Sequence, residues 1–460
     1  METKTTVSGK TLKWADIDLT KIPNIIAPPP GPKSQEIHSR TSKYMKGFSG
    51  QVKLFPVAFE SGQGCTLTDA DGNTYIDFSS GIYVTNLGHC HPKITEAVQE
   101  WAGKLMNAHD FSTSIKMRLL EKMAEILPSN LKGFQLYDSG TTAVEAGQRV
   151  ARAATGKHEF ISCFMDYHGK TMGAVSMGHI RSSCYGPTRV PGFHMVPRPD
   201  PYRPLWTNSD GEIDTDGYIN FFNEYLDKGT ANQVAAFFLE PVQGWAGSIF
   251  PPKDFFPKLR ELCNDRGILL MADEILTGMG RTGKWCATEH WDTRTDITIL
   301  GKGFGNGFPV TAVCVDEKIA DVVENISAST SYGGNPMACA AALASIEVMQ
   351  EENILEHSAK LGEYFNKRMA DWPEKHAIVG DTRCMGCLMG VELVKDQSTK
   401  EPFDQAGKLV YQKAFQKGLA WIPAGHILRM SPPIVMSLET AAKAMDIIEE
   451  SIAETQKELL

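Results

Sequence analysis

From Phe134 to Val315 the chain alternates short, almost wholly apolar runs with stretches whose apolar residues recur at helical spacing, and this alternation leaves few folds open. Phe134–Tyr137, Phe160–Phe164, Val234–Leu239, Ile268–Met271, Ile297–Leu300 and Val310–Val315 read as strands, with helices expected over Thr142–Ala154 and Pro252–Arg266. Strands without a polar face must be covered on both sides, so the pattern predicts an α/β domain around a mostly parallel sheet. Ligands of such sheets collect at the carboxyl ends of the strands. The polar motifs of this chain fall there.

Outside that core the signals change. Cys65–Thr68 and Thr74–Asp77 flank Asp71–Gly72 as a hairpin, and helices are expected from Pro92 and over Ser114–Leu127. The prolines of Ile25–Ser34 favour an extended arm lying on the rest of the protein. Beyond Met337 a small-residue helix leads into helices and short strands, among them Gly390–Val394, and an amphipathic helix starts at Leu438. The expected division is an N-terminal arm over 1–60 forming part of a small domain, a large domain over 61–345 and a small α+β domain over 346–460.

A net charge of −9 and a pI near 5.8 argue against a general nucleic-acid or anionic-membrane binder. No apolar run approaches the roughly 20 residues of a membrane span. The N-terminus lacks the apolar core of a signal peptide, so a cytoplasmic protein is expected. Ten cysteines are too sparse for a disulfide scaffold. Cys384 and Cys387 precede a buried-strand pattern, and His89, Cys90 and His91 sit in a Gly/Pro-bounded turn; no metal is expected at either.

Four motifs carry chemistry. Lys302 follows the apolar run Ile297–Leu300 in a glycine-rich turn, where it is either a solvated loop lysine or a desolvated nucleophile. Asp138–Ser139–Gly140–Thr141–Thr142 joins a strand to a helix, which suits either a helix cap or an anion such as phosphate. Asp273 ends an apolar strand; a carboxylate there needs a partner, either a helix start or a protonated ring nitrogen. Tyr167, in Tyr167–His168–Gly169, either packs or stacks on a planar group.

Taken in order, DSGTTAVEAGQRVAR, YHGKT, LEPVQG, ADEILTGMGRTGKW, GKGFGNGFP, SYGGNPMACAAALA and LRMSPPI resemble the class III (omega-type) pyridoxal-phosphate aminotransferases, within the aspartate aminotransferase-like fold (PLP fold type I). The resemblance runs from about Val52 to the C-terminal helix. It implies pyridoxal 5'-phosphate as cofactor, Lys302 as the Schiff-base lysine and proton shuttle, and Asp273 as partner of the ring nitrogen. Gly140 and Thr141 would hold the phosphate and Tyr167 would stack on the ring. Glu240 and Gln243 would support the cofactor side of the pocket. Ser331 would reach the phosphate of a neighbouring subunit, which implies a homodimer with shared active sites. Arg429 would take a substrate carboxylate.

Three positions depart from the family pattern. Trp245 replaces the last acid of Glu-Pro-Ile-Gln-Gly-Glu, Leu276 stands where a glutamine commonly touches the ring hydroxyl, and Ile82 replaces a polar pocket residue. Trp245 and Ile82 would then border the substrate. The implied reaction moves an amino group from an omega-amino acid or amine to a 2-oxo acid, pyruvate or 2-oxoglutarate. PPPGPKS, VKLFP and PYRPLW also resemble a subgroup with amino-acid racemases and epimerases, and related members are ammonia-lyases or phospho-lyases.

Overall fold

The computed structural model describes residues 17–178, 189–422 and 425–460, so most of the polar N-terminal stretch lies outside it. The described chain forms two compact units. The larger comprises Glu96–Gly280 and Lys284–Glu347; the smaller takes in the chain up to Thr95, Arg281–Gly283 and Val348–Leu460. The first break therefore lies at 95/96 rather than at the expected 60/61. The reason is pairing: Phe59–Gln63 (β1), Thr66–Asp69 (β2) and Thr74–Asp77 (β3) form the hairpin region, and β3 pairs in parallel with Leu419–Ala420 near the C-terminus.

In the larger unit the strands are Leu131–Tyr137 (β4), Glu159–Cys163 (β5), Phe193–Val196 (β6), Val234–Leu239 (β7), Leu269–Asp273 (β8), Ile297–Leu300 (β9) and Thr311–Asp316 (β10). They make one sheet in the order β4-β10-β9-β8-β7-β5-β6, parallel except that β10 runs against both neighbours. The expected parallel α/β sheet is present. Because β10 is reversed, its first residue, Thr311, shares an edge with the carboxyl ends of the other strands and pairs with Tyr137.

Helix Gly140–Thr155 turns Ala143, Val144, Gly147, Val150 and Ala151 onto the sheet. Gly147 sets the closeness of that contact: a Cβ there would lie 2.3 Å from Met271 Cε. The helix stops at Gly156, whose φ of 69° suits a residue without a Cβ.

The smaller unit carries the sheet β1-β2-β3 with Leu419–Ala420 as its last strand, and a second, antiparallel sheet of Val379–Met385, Leu388–Leu393 and Ile427–Met430. Helices Ile354–Met369, Asp404–Gln416 and Leu438–Leu459 complete it. The proline-rich arm is not extended throughout. A helix occupies Pro32–Tyr44, because Pro32 sits in the first turn where no amide bond is lost, and Asp71 accepts the amides of Lys33 and Ser34 at 2.8 and 2.9 Å.

One stretch of this unit is left-handed. Ser80, Gly81, Ile82 and Tyr83 have φ of 49°, 59°, 69° and 65° in succession. Only glycine adopts this freely; each of the other three costs roughly 1–2 kcal/mol. Surrounding bonds hold it. Asp77 Oδ1 accepts the amides of Ser79 and Ser80 at 2.8 and 3.0 Å, and Asp77 Oδ2 meets His89 Nε2 at 2.8 Å. Such strain gathers at functional positions.

Among the described residues no helix is long and apolar enough to cross a membrane. Cys387 is buried and its thiol is pushed up to about 11 by that burial, while Cys384 Sγ donates to the Gly386 carbonyl at 3.1 Å. His91 is buried 3.6 Å from Glu352.

Candidate active site

A cavity of about 360 Å³ opens at the strand ends of the larger unit, lined by residues that follow β4, β5, β7, β8 and β9 and by Thr311 at the start of β10. Five strand ends therefore converge on one hollow. Gly140, Thr141, Tyr167, Glu240, Asp273, Leu276 and Lys302 all line it, although they are spread over 162 positions of the chain (302 − 140).

At one end of the cavity the helix Gly140–Thr155 begins. Its first amides have no intrahelical acceptor and carry the positive end of the helix dipole. Ser139 caps it, accepting the Thr142 amide at 3.4 Å, and the Thr141 hydroxyl lies 2.7 Å from that of Thr171. Gly169 passes so close that a Cβ would stand 2.5 Å from Thr141 Oγ1. The backbone packing leaves the helix start facing a space where an anion is favoured.

The deep end is a charge cluster. Asp273 Oδ2 lies 2.8 Å from His168 Nδ1, and Asp273 Oδ1 accepts the Ile275 amide at 3.1 Å. His168 Nε2 stands 3.7 Å from Asp166 Oδ2, an ion-pair distance rather than a hydrogen bond. The imidazole is fully buried and stacks on Phe238 with ring centroids 4.1 Å apart. Burial opposes its charge, yet Asp166 and Asp273 together push its pKa up to about 10. Glu240 accepts the amides of Tyr167 and Gly244 at 2.8 and 3.1 Å, and burial, then the Asp166 carboxylate, raises its pKa well above the carboxyl range. Glu240 is thereby biased towards its neutral form. His168 and Asp273 line the cavity, while Asp166 does not and accepts the Cys163 amide at 2.8 Å. A carboxylate buried at such a cavity calls for a cationic or hydrogen-bonded partner.

Lys302 enters from the turn after β9 with φ of 47°, a conformation fixed between Gly301 and Gly303. Tyr167 meets the cavity from its other side, its ring 5.7 Å from that of Trp245 at 32°. Trp245 is partly exposed, and the Leu276 side chain fills the space beside Gly244, where a Cβ would lie 2.2 Å from Leu276 Cδ1. An anion site, a carboxylate and a lysine around a slot of this size fit pyridoxal phosphate, whose phosphate would meet the helix start and whose ring nitrogen would meet Asp273.

Other expected residues lie elsewhere. Gln243 stands behind the cluster, donating to Asp166 Oδ1 at 2.7 Å and the Phe164 carbonyl at 2.9 Å. Ser331 is exposed and outside the cavity of its own chain; its carbonyl accepts from Asn107 Nδ2 at 2.9 Å. Arg429 and Ile82 belong to the smaller unit, Arg429 buried opposite Gly390 and Ile82 exposed on the left-handed turn. The sequence reading gave no role to Asp166 or Thr311 and used His168 only as part of a motif. The Asp166-x-His168 spacing just beyond a buried strand was the available signal; for Thr311 there was none, since its place depends on β10 being reversed.

The profile of the family described as Aminotransferase class-III matches residues 48–452. The chain is 35% identical to an alanine/serine racemase of Pyrococcus horikoshii, over 96% of this chain and 94% of that protein. It is 34% identical to a 5-aminovalerate aminotransferase of Pseudomonas putida, over 88% and 95%. Among solved structures, a PLP-bound amine transaminase from an uncultivated Pseudomonas species superposes with a TM-score of 0.83 at 28% identity, covering 90% of this chain and 98% of that one. The chain belongs to the class III aminotransferases, pyridoxal-phosphate-dependent enzymes of PLP fold type I.

Proposed function

We propose that the protein is an aminotransferase that moves an amino group from an omega-amino acid or amine to a 2-oxo acid, pyruvate or 2-oxoglutarate. What supports this reading is one cavity at the strand ends that gathers the start of the Gly140 helix, Asp273 with His168 Nδ1 at 2.8 Å, and Lys302. Bound there, pyridoxal phosphate supplies an electrophilic carbon for the amine and, with its ring nitrogen protonated, a sink for the electrons released when a C–H bond breaks. Asp273 would hold the proton on that nitrogen, and His168 orients Asp273 through the 2.8 Å contact. Lys302 Nζ holds the cofactor, then takes the proton from the substrate carbon and returns it. The Gly140 and Thr141 amides bind the phosphate, and Tyr167 covers the ring face.

Arg429 receives the substrate carboxylate, with Ile82 and Trp245 as apolar borders. Ser331 completes the phosphate site of a second subunit; its exposure and the exposed Met106, Phe111 and Tyr332 of the same unit support a homodimer. A second reading, amino-acid racemisation, is favoured by the 35% identity to the alanine/serine racemase over 96% of this chain. The same Lys302 and Asp273 serve it, as they serve an ammonia-lyase or phospho-lyase.

The test is to titrate the holoenzyme with 5-aminovalerate, 4-aminobutyrate, L-alanine and phosphoethanolamine, following cofactor absorbance. Under the aminotransferase reading, donor converts the spectrum and added 2-oxo acid restores it, with one amino group transferred per cycle. Inversion at Cα, or ammonia or phosphate release, without any 2-oxo acid would replace that reading. Lys302→Ala should abolish turnover and the covalent cofactor spectrum.

A further inference from the structure

Arg281 is wholly buried in the smaller unit, yet no carboxylate touches its guanidinium among the described residues. Nη1 donates to the Cys387 carbonyl at 3.1 Å and the Pro432 carbonyl at 2.5 Å; Nη2 donates to Asn86 Oδ1 at 2.6 Å and Ser80 Oγ at 3.3 Å. These four acceptors belong to three separate segments. Ser80 and Asn86 bracket the left-handed turn that displays Ile82. Pro432 lies three residues beyond Arg429, and Cys387 immediately precedes the strand that pairs with Arg429. The same segments are stitched together directly: Ser80 Oγ donates to the Ser431 carbonyl at 2.7 Å, Ser431 Oγ to the Ser79 carbonyl at 3.0 Å, and the Ile434 amide to the Asn86 carbonyl at 2.7 Å.

A buried cation with only neutral acceptors is not there for an ion pair. Its planar fork of donors is what the arrangement uses, since it fixes several oxygens at set angles at once. We propose that Arg281 is a positioning residue for substrate recognition, locking the Ile82 turn and the Arg429 strand end into one register so that carboxylate-bearing amines are told from plain amines. This rests on the reading that Arg429 meets the substrate carboxylate. Arg281 does not touch the reacting atoms; it acts through the backbone that carries Arg429 and Ile82. Lysine keeps the charge but offers a single point in place of the fork.

The experiment compares holoenzyme variants Arg281→Lys, Ser80→Ala and Arg429→Gln by spectral titration with two matched pairs, 5-aminovalerate against pentylamine and L-alanine against ethylamine. Arg281→Lys should weaken the carboxylate-bearing member about tenfold, leave the plain amine within about twofold, and leave the cofactor spectrum unchanged. Ser80→Ala should act in the same direction, by about threefold, and decides the matter if Arg281→Lys does not fold. Equal weakening within a pair, or no weakening, overturns the proposal. If Arg429→Gln also spares the carboxylate-bearing amines, the reading of Arg429 fails. If Arg429→Gln is selective while the other two are not, only the role of Arg281 fails.

Discussion

The two units each bury a cation, and they treat it in opposite ways. In the larger one, His168 lies between Asp166 and Asp273, so charge is met by charge. In the smaller one, Arg281 is surrounded by carbonyl, amide and hydroxyl oxygens. The first arrangement bears on where a proton resides, because the two aspartates push the His168 pKa up to about 10. The second controls shape, because burial lowers the guanidinium pKa only to about 10 and the group stays charged. One buried charge serves electrostatics and the other geometry.

Breaking the first arrangement should have the larger effect. On the proposed role, Asp273→Asn removes the carboxylate that would retain the ring proton and should lower turnover by about 10³-fold, with cofactor still bound, as a single-turnover assay would read. Retained turnover would mean that the cluster does not act through charge. Arg281→Met strands four buried acceptors and should cost about 3 kcal/mol in urea unfolding. A loss nearer zero would show that the oxygens find other donors.

His168→Gln sharpens the contrast through pH. The folded-state pKa of His168 is raised from 6.5 to about 10. Its contribution to stability is therefore complete below about pH 6.5, shrinks as pH rises, and is gone above about pH 10. In cofactor-stripped protein, the stability gap between the parent and His168→Gln should close between pH 7 and 10. A constant gap would place the effect in packing against Phe238. No such narrowing is expected over pH 7–9 for Arg281→Met. Smallest of all, Trp245→Ala removes a half-exposed ring beside Tyr167 and should change amine binding by about 1 kcal/mol or less.

The parts legible in the sequence are those with a local cause. Wholly apolar strands announced a covered sheet, and Asp273 ends a strand while Lys302, Gly140 and Tyr167 follow one within four residues, so pattern and position coincide. The helix Pro32–Tyr44 was hidden because its amide acceptor, Asp71, lies 38 residues downstream of Lys33. The left-handed run Ser80–Tyr83 was hidden for a related reason. Only Gly81 among its residues favours positive φ, and besides the neighbouring Asp77 the strain is held by distant groups at Ser431 and Arg281.

The sequence by itself determined the α/β class, the strand-end placement of the lysine and the acid, and the family, because hydrophobic period and motif order are properties of the chain. Tertiary structure alone decided that Asp166, His168 and Asp273 share one cluster, that Thr311 on a reversed strand lines the same cavity, and that Arg281 ties the Ile82 turn to the Arg429 strand end. Those facts depend on burial and on contacts between segments far apart in the chain. Desolvation strengthens the polar contacts of such buried groups, at His168 and Asp273 and at Arg281 alike.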